Sequence, residues 1–387
     1  MFCANRPAGT VFAARAAFAL AGFAIASWAP LVPYIKEELS LTHLELSRII
    51  LLMGTGSIIG MLLISFFISF AGIQNALSLS AAALTGSLLL LAAMPPIHLL
   101  APTVFIFGLT LGCVEVGGNI YGTHLEKTTK RILLPSMHGC YSLGEIIALA
   151  IICALIFLKF SIFAAIAIPS VILTGITLNA LRSIGSVAIF NPDKKHKEKL
   201  FVLPKGAVIF FAFISSLIYM VEGGMLDWSG LFLLQKTDIS IGFASSAYIV
   251  LIIAMAAGRF SGAYLIGKFK NYKVVLGGVS LCATALIAVY FAQNLIIIYA
   301  CFMVLGFALA NIMPICISLA GKQQSMPVIA AVSSISTCGY GALILGPALI
   351  GFMSELITLN GAFGALGLMS LALSFIIIYK RRLFAIA

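Results

Sequence analysis

Four carboxylates stand where carboxylates are costly. Glu115, Glu145, Glu222 and Asp227 lie inside long apolar stretches, whereas the other acids of the 12 in the chain lie in polar segments or at the ends of such stretches. A charge at bilayer depth costs about 2.5–3.5 kcal/mol on insertion scales, so residues of this kind face a cavity or a partner. Glu115 lies in Gly112-Cys113-Val114-Glu115-Val116-Gly117-Gly118-Asn119. Asn119 follows at i+4, so both polar groups share one helix face. Desolvation favours the neutral form of a carboxyl group, the property a reversible proton carrier needs. The alternative is a protonated Glu that hydrogen-bonds a neighbouring helix as packing glue.

A second constellation opens the fifth apolar stretch, where His138, Tyr141 and Glu145 are spaced three and four apart. That spacing stacks imidazole, phenol and carboxyl on one helix face, a set able to bind a polar ligand and relay protons. A histidine at the start of a helix near the cytoplasmic interface is the alternative for His138. The third is Glu222-Gly223-Gly224-Met225-Leu226-Asp227-Trp228-Ser229. Two glycines beside two acids predict a locally unwound helix, tolerated only where it lines a cavity. Glu222 lies deeper and is the better coupling candidate, while Asp227 suits a hydrated gate. Trp28, Tyr141 and Trp228 offer rings for stacking, and both tryptophans are equally placed to anchor at a membrane interface. Arg259, between Gly258 and Gly262, either snorkels to headgroups or pairs with an acid or carbonyl and so holds one conformation.

These residues must be positioned by membrane helices. Of 387 residues, 62% are hydrophobic and 9% charged, and the mean hydropathy is +1.15. A soluble domain carries about 25% charge, so a soluble enzyme is excluded, as are a disordered chain and a coiled coil. The apolar runs are continuous and do not alternate with period 2, which excludes a membrane β-barrel. The expectation is an all-α polytopic membrane protein of 12 transmembrane helices. The first six spans are read near 11–35, 46–70, 76–94, 102–122, 136–158 and 162–181. The second six are read near 207–234, 243–266, 273–292, 295–320, 327–352 and 359–379. Pro95-Pro96, Asn191-Pro192 and Gln293-Asn294 punctuate them. One long polar connection, 182–206, separates an N-terminal half, 1–181, from a C-terminal half, 207–387.

The net charge of +11 reports topology rather than a nucleic-acid partner. With the N-terminus in the cytoplasm, all of the 23 Lys and Arg fall on the cytoplasmic side except Lys36, Arg48, Lys159 and Lys236. That is the positive-inside bias, and it places both termini in the cytoplasm. Arg15 and Ala24-Ile25-Ala26 imitate a cleavable signal, but removing the first span would break the symmetry of the halves. The eight cysteines form no Cys-x-x-Cys pair and, Cys3 apart, sit in apolar stretches as small hydrophobes. No disulfide, metal site or cofactor is expected.

The only two tryptophans, Trp28 and Trp228, lie 200 residues apart, and Lys36 and Lys236 each follow eight residues later. Two parallel six-span repeats with a long cytoplasmic linker are the architecture of the major facilitator superfamily, in which a substrate site at the midplane is exposed to each side in turn. The segment from Gly258-Arg259-Phe260-Ser261-Gly262 through Gly267-Lys268-Phe269, with Lys273-Val274-Val275, resembles the eighth-span signature of that superfamily's fucose:H+ symporter family. Glu115 with Asn119, the run from His138 to Gly144, Pro314 with Ile317-Ser318-Leu319, and Gly346-Pro347 with Gly351-Phe352 resemble its fourth, fifth, tenth and eleventh spans. The His138 and Glu222–Ser229 forms are most similar to a YbjJ-type inner-membrane branch.

This resemblance implies proton coupling through Glu115 and substrate contact by His138 and Tyr141; conformational roles are expected of Arg259, Gly262 and Pro314. Three departures accompany it. The family's first-span acid falls at Ala29, leaving Glu145 or Glu222 as substitutes; His138 and Tyr141 replace amides; and the cytoplasmic loop motif at 65–75 keeps only Gly72. The expected protein is a secondary active transporter in the bacterial inner membrane, acting as a monomer and moving a small polar, sugar-like substrate with protons by alternating access. A polar heteroaromatic such as a vitamin or nucleobase is the second substrate class, and export is as compatible with the topology as uptake. A transporter-shaped sensor is the reading from another class. An intramembrane enzyme would need a nucleophile–base pair or metal cluster at membrane depth, and His138 with Glu145 has no third ligand nearby in sequence.

Overall fold

The computed structural model describes residues 7–40, 43–184, 203–239 and 246–386. The Asn191-Pro192 breaker, the basic stretch 194–199 and the side chains of Ala29 and Lys36 lie outside the described residues. Among the described residues the regular structure is helical throughout: α1 (Pro7–Glu38), α2 (His43–Ala92), α3 (Ile97–Thr129), α4 (Leu134–Phe157), α5 (Ile162–Leu181), α6 (Ala207–Lys236), α7 (Ser246–Phe291), α8 (Leu295–Leu309), α9 (Ile312–Lys322) and α10 (Val328–Tyr379). The ends follow local chemistry. Pro95-Pro96 separate α2 from α3, the Ser161 hydroxyl accepts from the Ala164 N–H to start α5, and Asn294 Oδ1 accepts from the Ile296 and Ile297 N–H groups to start α8.

Nine helical stretches among these residues are long and apolar enough to cross a membrane. Three are too long to cross once. Helix α2 has 50 residues, α7 has 46 and α10 has 52, and a straight helix of that size spans roughly 70–80 Å against about 30 Å of hydrocarbon. Each holds non-helical backbone, at Gly72 in α2, Lys270 in α7 and Ile357-Thr358 in α10. The chain doubles back there, as shared neighbours prove. Ile64 and Leu77 both reach the space beside Gly117, and Gly258 and Gly278 both pack on α8. Gly351 meets the Trp228 ring while Phe363 stacks on Phe232 at 4.8 Å, one turn further along α6. In a straight helix each of those pairs would lie about 18–30 Å apart. These breaks fall where the apolar pattern separates the spans.

The helices approach through glycine. A Cβ on Gly60 would strike the Leu109 carbonyl oxygen, and one on Gly108 would strike that of Met53, so α2 and α3 meet backbone to backbone. Gly258 against Phe307 and Gly306 against Leu251 repeat this contact between α7 and α8 with identical spacing along the chain. Likewise Gly22 meets the Tyr141 carbonyl and Gly144 that of Ala19, and Gly223 meets Leu343 while Gly346 meets Met220. Small residues at such crossings allow close van der Waals packing where lipid supplies no hydrophobic drive. Exposed Phe66, Phe70, Phe157, Ile172, Phe352 and Phe375 belong to an apolar outer surface suited to hydrocarbon.

The chain forms two compact units. One takes in the described residues of Met1–Leu133 and Cys140–Val202, the other those of Leu134–Gly139 and Leu203–Ala387. The first turn of α4, with His138, thus belongs to the second unit, whereas the sequence division assigns it to the first half. Two expectations change. Helix α6 stays helical through Gly223-Gly224, because these glycines admit the Leu343 backbone and the Ile350 side chain of α10 instead of unwinding. The tryptophan echo lies out of register with the structural repeat. Gly22 corresponds to Gly223, so Trp28 corresponds to Ser229. One residue turns a side chain about 100° around a helix, and accordingly Trp28 stacks on Phe107 of α3 at 6.3 Å while the Trp228 Nε1–H donates to the Pro347 carbonyl of α10 at 2.9 Å.

Gly72 and Gly86 separate backbone from packing effects. Both have open space where a Cβ would go, but Gly72 has φ +78° and Gly86 is helical. Gly72→Ala is expected to destabilise by about 1–3 kcal/mol, and Gly86→Ala to stabilise by up to about 1 kcal/mol. Thermal unfolding of the purified variants in detergent checks the sign; shifts in the same direction would refute the backbone argument.

Candidate functional site

In the first unit, the middle of α3 carries Glu115 and Asn119, which are 3% and 0% exposed. Both engage in polar interactions within the protein. Close packing surrounds them: Gly112 faces the Ser57 backbone, and Gly118 lies against the Phe18 ring of α1. At the end of α3, Lys130 adopts a left-handed cap and Glu126 Oε1 accepts from the Leu133 N–H at 2.8 Å, which fixes the turn into α4. Tyr141 and Glu145 are half-buried on continuous α4, and Trp28 is buried in the apolar core.

The second unit holds a polar cluster drawn from four helices. Arg259 on α7 is buried, and its Nη2 donates to Glu222 Oε1 on α6 at 3.4 Å, an ion pair inside the apolar spans. His138, on the first turn of α4, is buried and lies within electrostatic reach of the Arg259 guanidinium. Asn311 stands at the break between α8 and α9, where its Nδ2–H donates to the Gly258 carbonyl at 2.7 Å. The break has a local cause. Pro314 has no N–H to offer the Ala310 carbonyl, so one helix ends and the next restarts with Pro in its first turn. On α7, a Cβ on Gly262 would overlap Asn311 Oδ1 and crowd Pro135 of α4. Gly262 therefore sets how closely these elements approach, and Pro314 sets where the α8–α9 path bends.

His138, Glu222, Arg259, Gly262 and Pro314 thus fall in the second unit, where Glu222 and Arg259 form the ion pair and His138 lies within its electrostatic reach. Glu115, Asn119, Trp28, Tyr141 and Glu145 fall in the first. Asp227 is exposed beside exposed Leu226, outside both buried groups. Asn311 escapes the sequence reading, although an Asn three residues before a Pro within an apolar span marks such a break. Its Oδ1 is buried without a hydrogen-bond partner.

The glycine register shows how unequal the two units are in chemistry. Glu222 and Arg259 correspond to Ala21 and Met61, and Glu115 and Asn119 correspond to Met313 and Ile317, all four apolar counterparts being buried. Each charged group occupies a place that the other repeat fills with hydrocarbon.

No family model matches the chain. Over 366 residues it is 34% identical to an uncharacterised MFS-type transporter of Yersinia pestis, a match that covers 93% of each chain. The crystal structure of the Escherichia coli fucose:proton symporter is similar with a TM-score of 0.78 and 16% identity, covering 96% of this chain and 98% of that one. The human organic anion transporter MFSD10 has the same TM-score of 0.78 at 14% identity, covering 96% and 99%. At these identities the two structures speak for the fold.

Glu222→Ala removes one partner of a buried ion pair and is expected to cost about 3–5 kcal/mol, whereas replacing both partners by apolar groups is commonly neutral. Glu222→Ala/Arg259→Met copies the Ala21 and Met61 of the other repeat. Its thermal midpoint is expected to return to within a few degrees of the parent; a double variant no better than Glu222→Ala would show that the pair is needed for folding.

Proposed function

Because this chain belongs to the major facilitator superfamily of transporters, we propose that it is a proton-coupled symporter of a small polar, sugar-like metabolite. It is a multi-pass membrane protein. In this reading the reversals at Gly72, Lys270 and Thr358 separate twelve crossings. Both termini face the cytoplasm of a bacterial inner membrane, and the protein works as a monomer by alternating access.

The observation that carries the coupling is the burial of Glu115 beside Asn119 on one face of α3, within a span whose remaining core side chains are mostly apolar. A carboxyl group in that setting gains a proton from one side of the membrane and releases it to the other as its surroundings change. Glu222 is the weaker candidate carrier because Arg259 holds it as an ion pair. Glu145, half-buried on α4, is the alternative. Both tryptophans are engaged with protein neighbours, Trp28 with Phe107 and Trp228 with Pro347. This favours a hydroxylated substrate over a flat heteroaromatic that needs two stacking rings.

Glu115→Gln keeps the shape and cannot carry a proton. In proteoliposomes with an imposed pH gradient and a panel of labelled monosaccharides, the parent is expected to accumulate its substrate. The variant should only equilibrate it, while exchange persists within about threefold, a change of less than 1 kcal/mol. Full accumulation by Glu115→Gln would move the role to Glu145.

A further inference from the structure

We propose that the turn in the middle of α7 and the turn that follows α10 together form a docking surface for the headgroups of anionic phospholipids, with Lys270, Lys273, Arg381 and Arg382 as the cations that receive the phosphates. The surface lies wholly within the second unit, on the side read as cytoplasmic, and owes nothing to the substrate.

Packing brings these cations together. The second limb of α7 and the last limb of α10 run antiparallel: Tyr290 meets Gly364, Ile287 meets Gly367, and Ser280 Oγ donates to Ser374 Oγ at 3.2 Å. Carried to the ends of the two limbs, the same pairing sets Lys273 opposite Arg381. There the 3-10 turn Arg381–Ile386 is pinned by Phe384, whose buried ring meets those of Phe211 and Tyr272, each at 5.6 Å. Lys270, Lys273, Arg381 and Arg382 are all exposed. Among the described residues of this unit the acidic side chains are Glu222, Asp227, Asp238 and Glu355. Glu222 pairs with Arg259, about 16 Å of helix away from Lys270. The other three lie toward the opposite end, where Lys236 donates to the Tyr290 carbonyl. Like charges are thus crowded with no acidic side chain to balance them, which calls for anions from outside the chain.

The repeat shows that the fold does not require them. Lys268, Lys270 and Lys273 correspond to Phe70, Gly72 and Asn75, so the first unit makes the same turn without a charge. Gly72 has φ +78° and ψ 161°, and Lys270 has φ +67° and ψ 160°, one backbone conformation that strains any residue with a Cβ. A lysine kept where the other repeat has glycine serves something besides the turn. The surroundings specify a lipid over a soluble anion. The Lys268 ammonium lies over the exposed Tyr264 and Phe269 rings, 5.7 and 5.4 Å from their centroids, and that of Lys380 lies 5.4 Å from the centroid of exposed Tyr379. Aromatic rings beside cations at the ends of membrane spans mark the headgroup level. Guanidinium groups bind phosphate through paired N–H donors, and basic clusters at that level attract anionic lipid.

Lipid titration of the full-length protein in detergent tests this. Fluorescently labelled phosphatidylglycerol is the anionic probe, phosphatidylcholine the neutral lipid and glycerol 1-phosphate the soluble anion. Phosphatidylglycerol is expected to bind saturably and about tenfold tighter than phosphatidylcholine, and a large excess of glycerol 1-phosphate should not displace it. Lys273→Gln/Arg381→Gln/Arg382→Gln is expected to weaken this binding about fivefold. Lys130→Gln/Arg131→Gln/Arg182→Gln, which removes the same charge from exposed positions of the first unit, should stay within about twofold of the parent. Unchanged binding in the first triple variant would overturn the proposal. Equal loss in both would do the same, by reducing the effect to net charge. Displacement by glycerol 1-phosphate would make this a soluble-anion site and remove the lipid. If the first triple variant does not fold, Lys270→Gly decides, since glycine is what the first unit carries in that conformation. Binding about twofold weaker or more supports the surface, and parental binding refutes it.

Discussion

Helices in a bilayer gain nothing by hiding leucine from lipid, so the structure depends on contacts that lipid cannot make. Here these are backbone contacts at glycine. Where Gly60 meets Leu109, Gly22 meets Tyr141, Gly223 meets Leu343 and Gly258 meets Phe307, even a methyl group would collide with a carbonyl oxygen or a side chain of the neighbouring helix. The polar residues ride on these crossings. Glu115 lies between Gly112 and Gly117, Glu222 precedes Gly223, and Arg259 follows Gly258. A side chain placed one residue from such a contact has little freedom to move away from its partner, because the helix that carries it cannot turn without a clash. The glycines therefore fix both the fold and the positions at which buried charge can be held.

The same crossings make the repeat visible, and the repeat separates scaffold from chemistry. Residues that set the approach of helices are paired between the units: Gly22 with Gly223, Gly60 with Gly258, Gly108 with Gly306 and Gly144 with Gly346. The buried charges and Asn119 have no such pairing. Glu115 and Asn119 are carried by α3 alone, and Glu222 and Arg259 by the second unit alone. A duplicated scaffold has each structural solution twice, so a residue present once, at a site that its counterpart fills with Ala or Met, answers a demand other than packing.

Much of this was legible in the sequence, and the limits have physical causes. Apolar runs end where spans end, so the separations around Gly72, Lys270 and Thr358 could be read even though two of the three are strained non-glycine residues with φ of +67° and +68°. Buried acids could be read because they are costly. Glycine beside an acid was ambiguous, since a helix that unwinds and a helix that admits a neighbour share one signature, and α6 turns out to do the second. The tryptophan echo misled because residue identity carries no register; a shift of one position sent the two rings to different helices. That Glu222 pairs with Arg259 was out of reach, since it lies on another helix and only packing brings them together. Asn311 was passed over because a lone amide is less conspicuous than a charge.

An ion pair in this setting is weak evidence of stability. Two desolvated charges recover their hydration only with good geometry and a full set of hydrogen bonds, and apolar side chains of similar volume often serve as well. The contact between Glu222 and Arg259 has one hydrogen bond, longer than those of well-formed charge-assisted pairs, and the first unit shows the apolar solution in place.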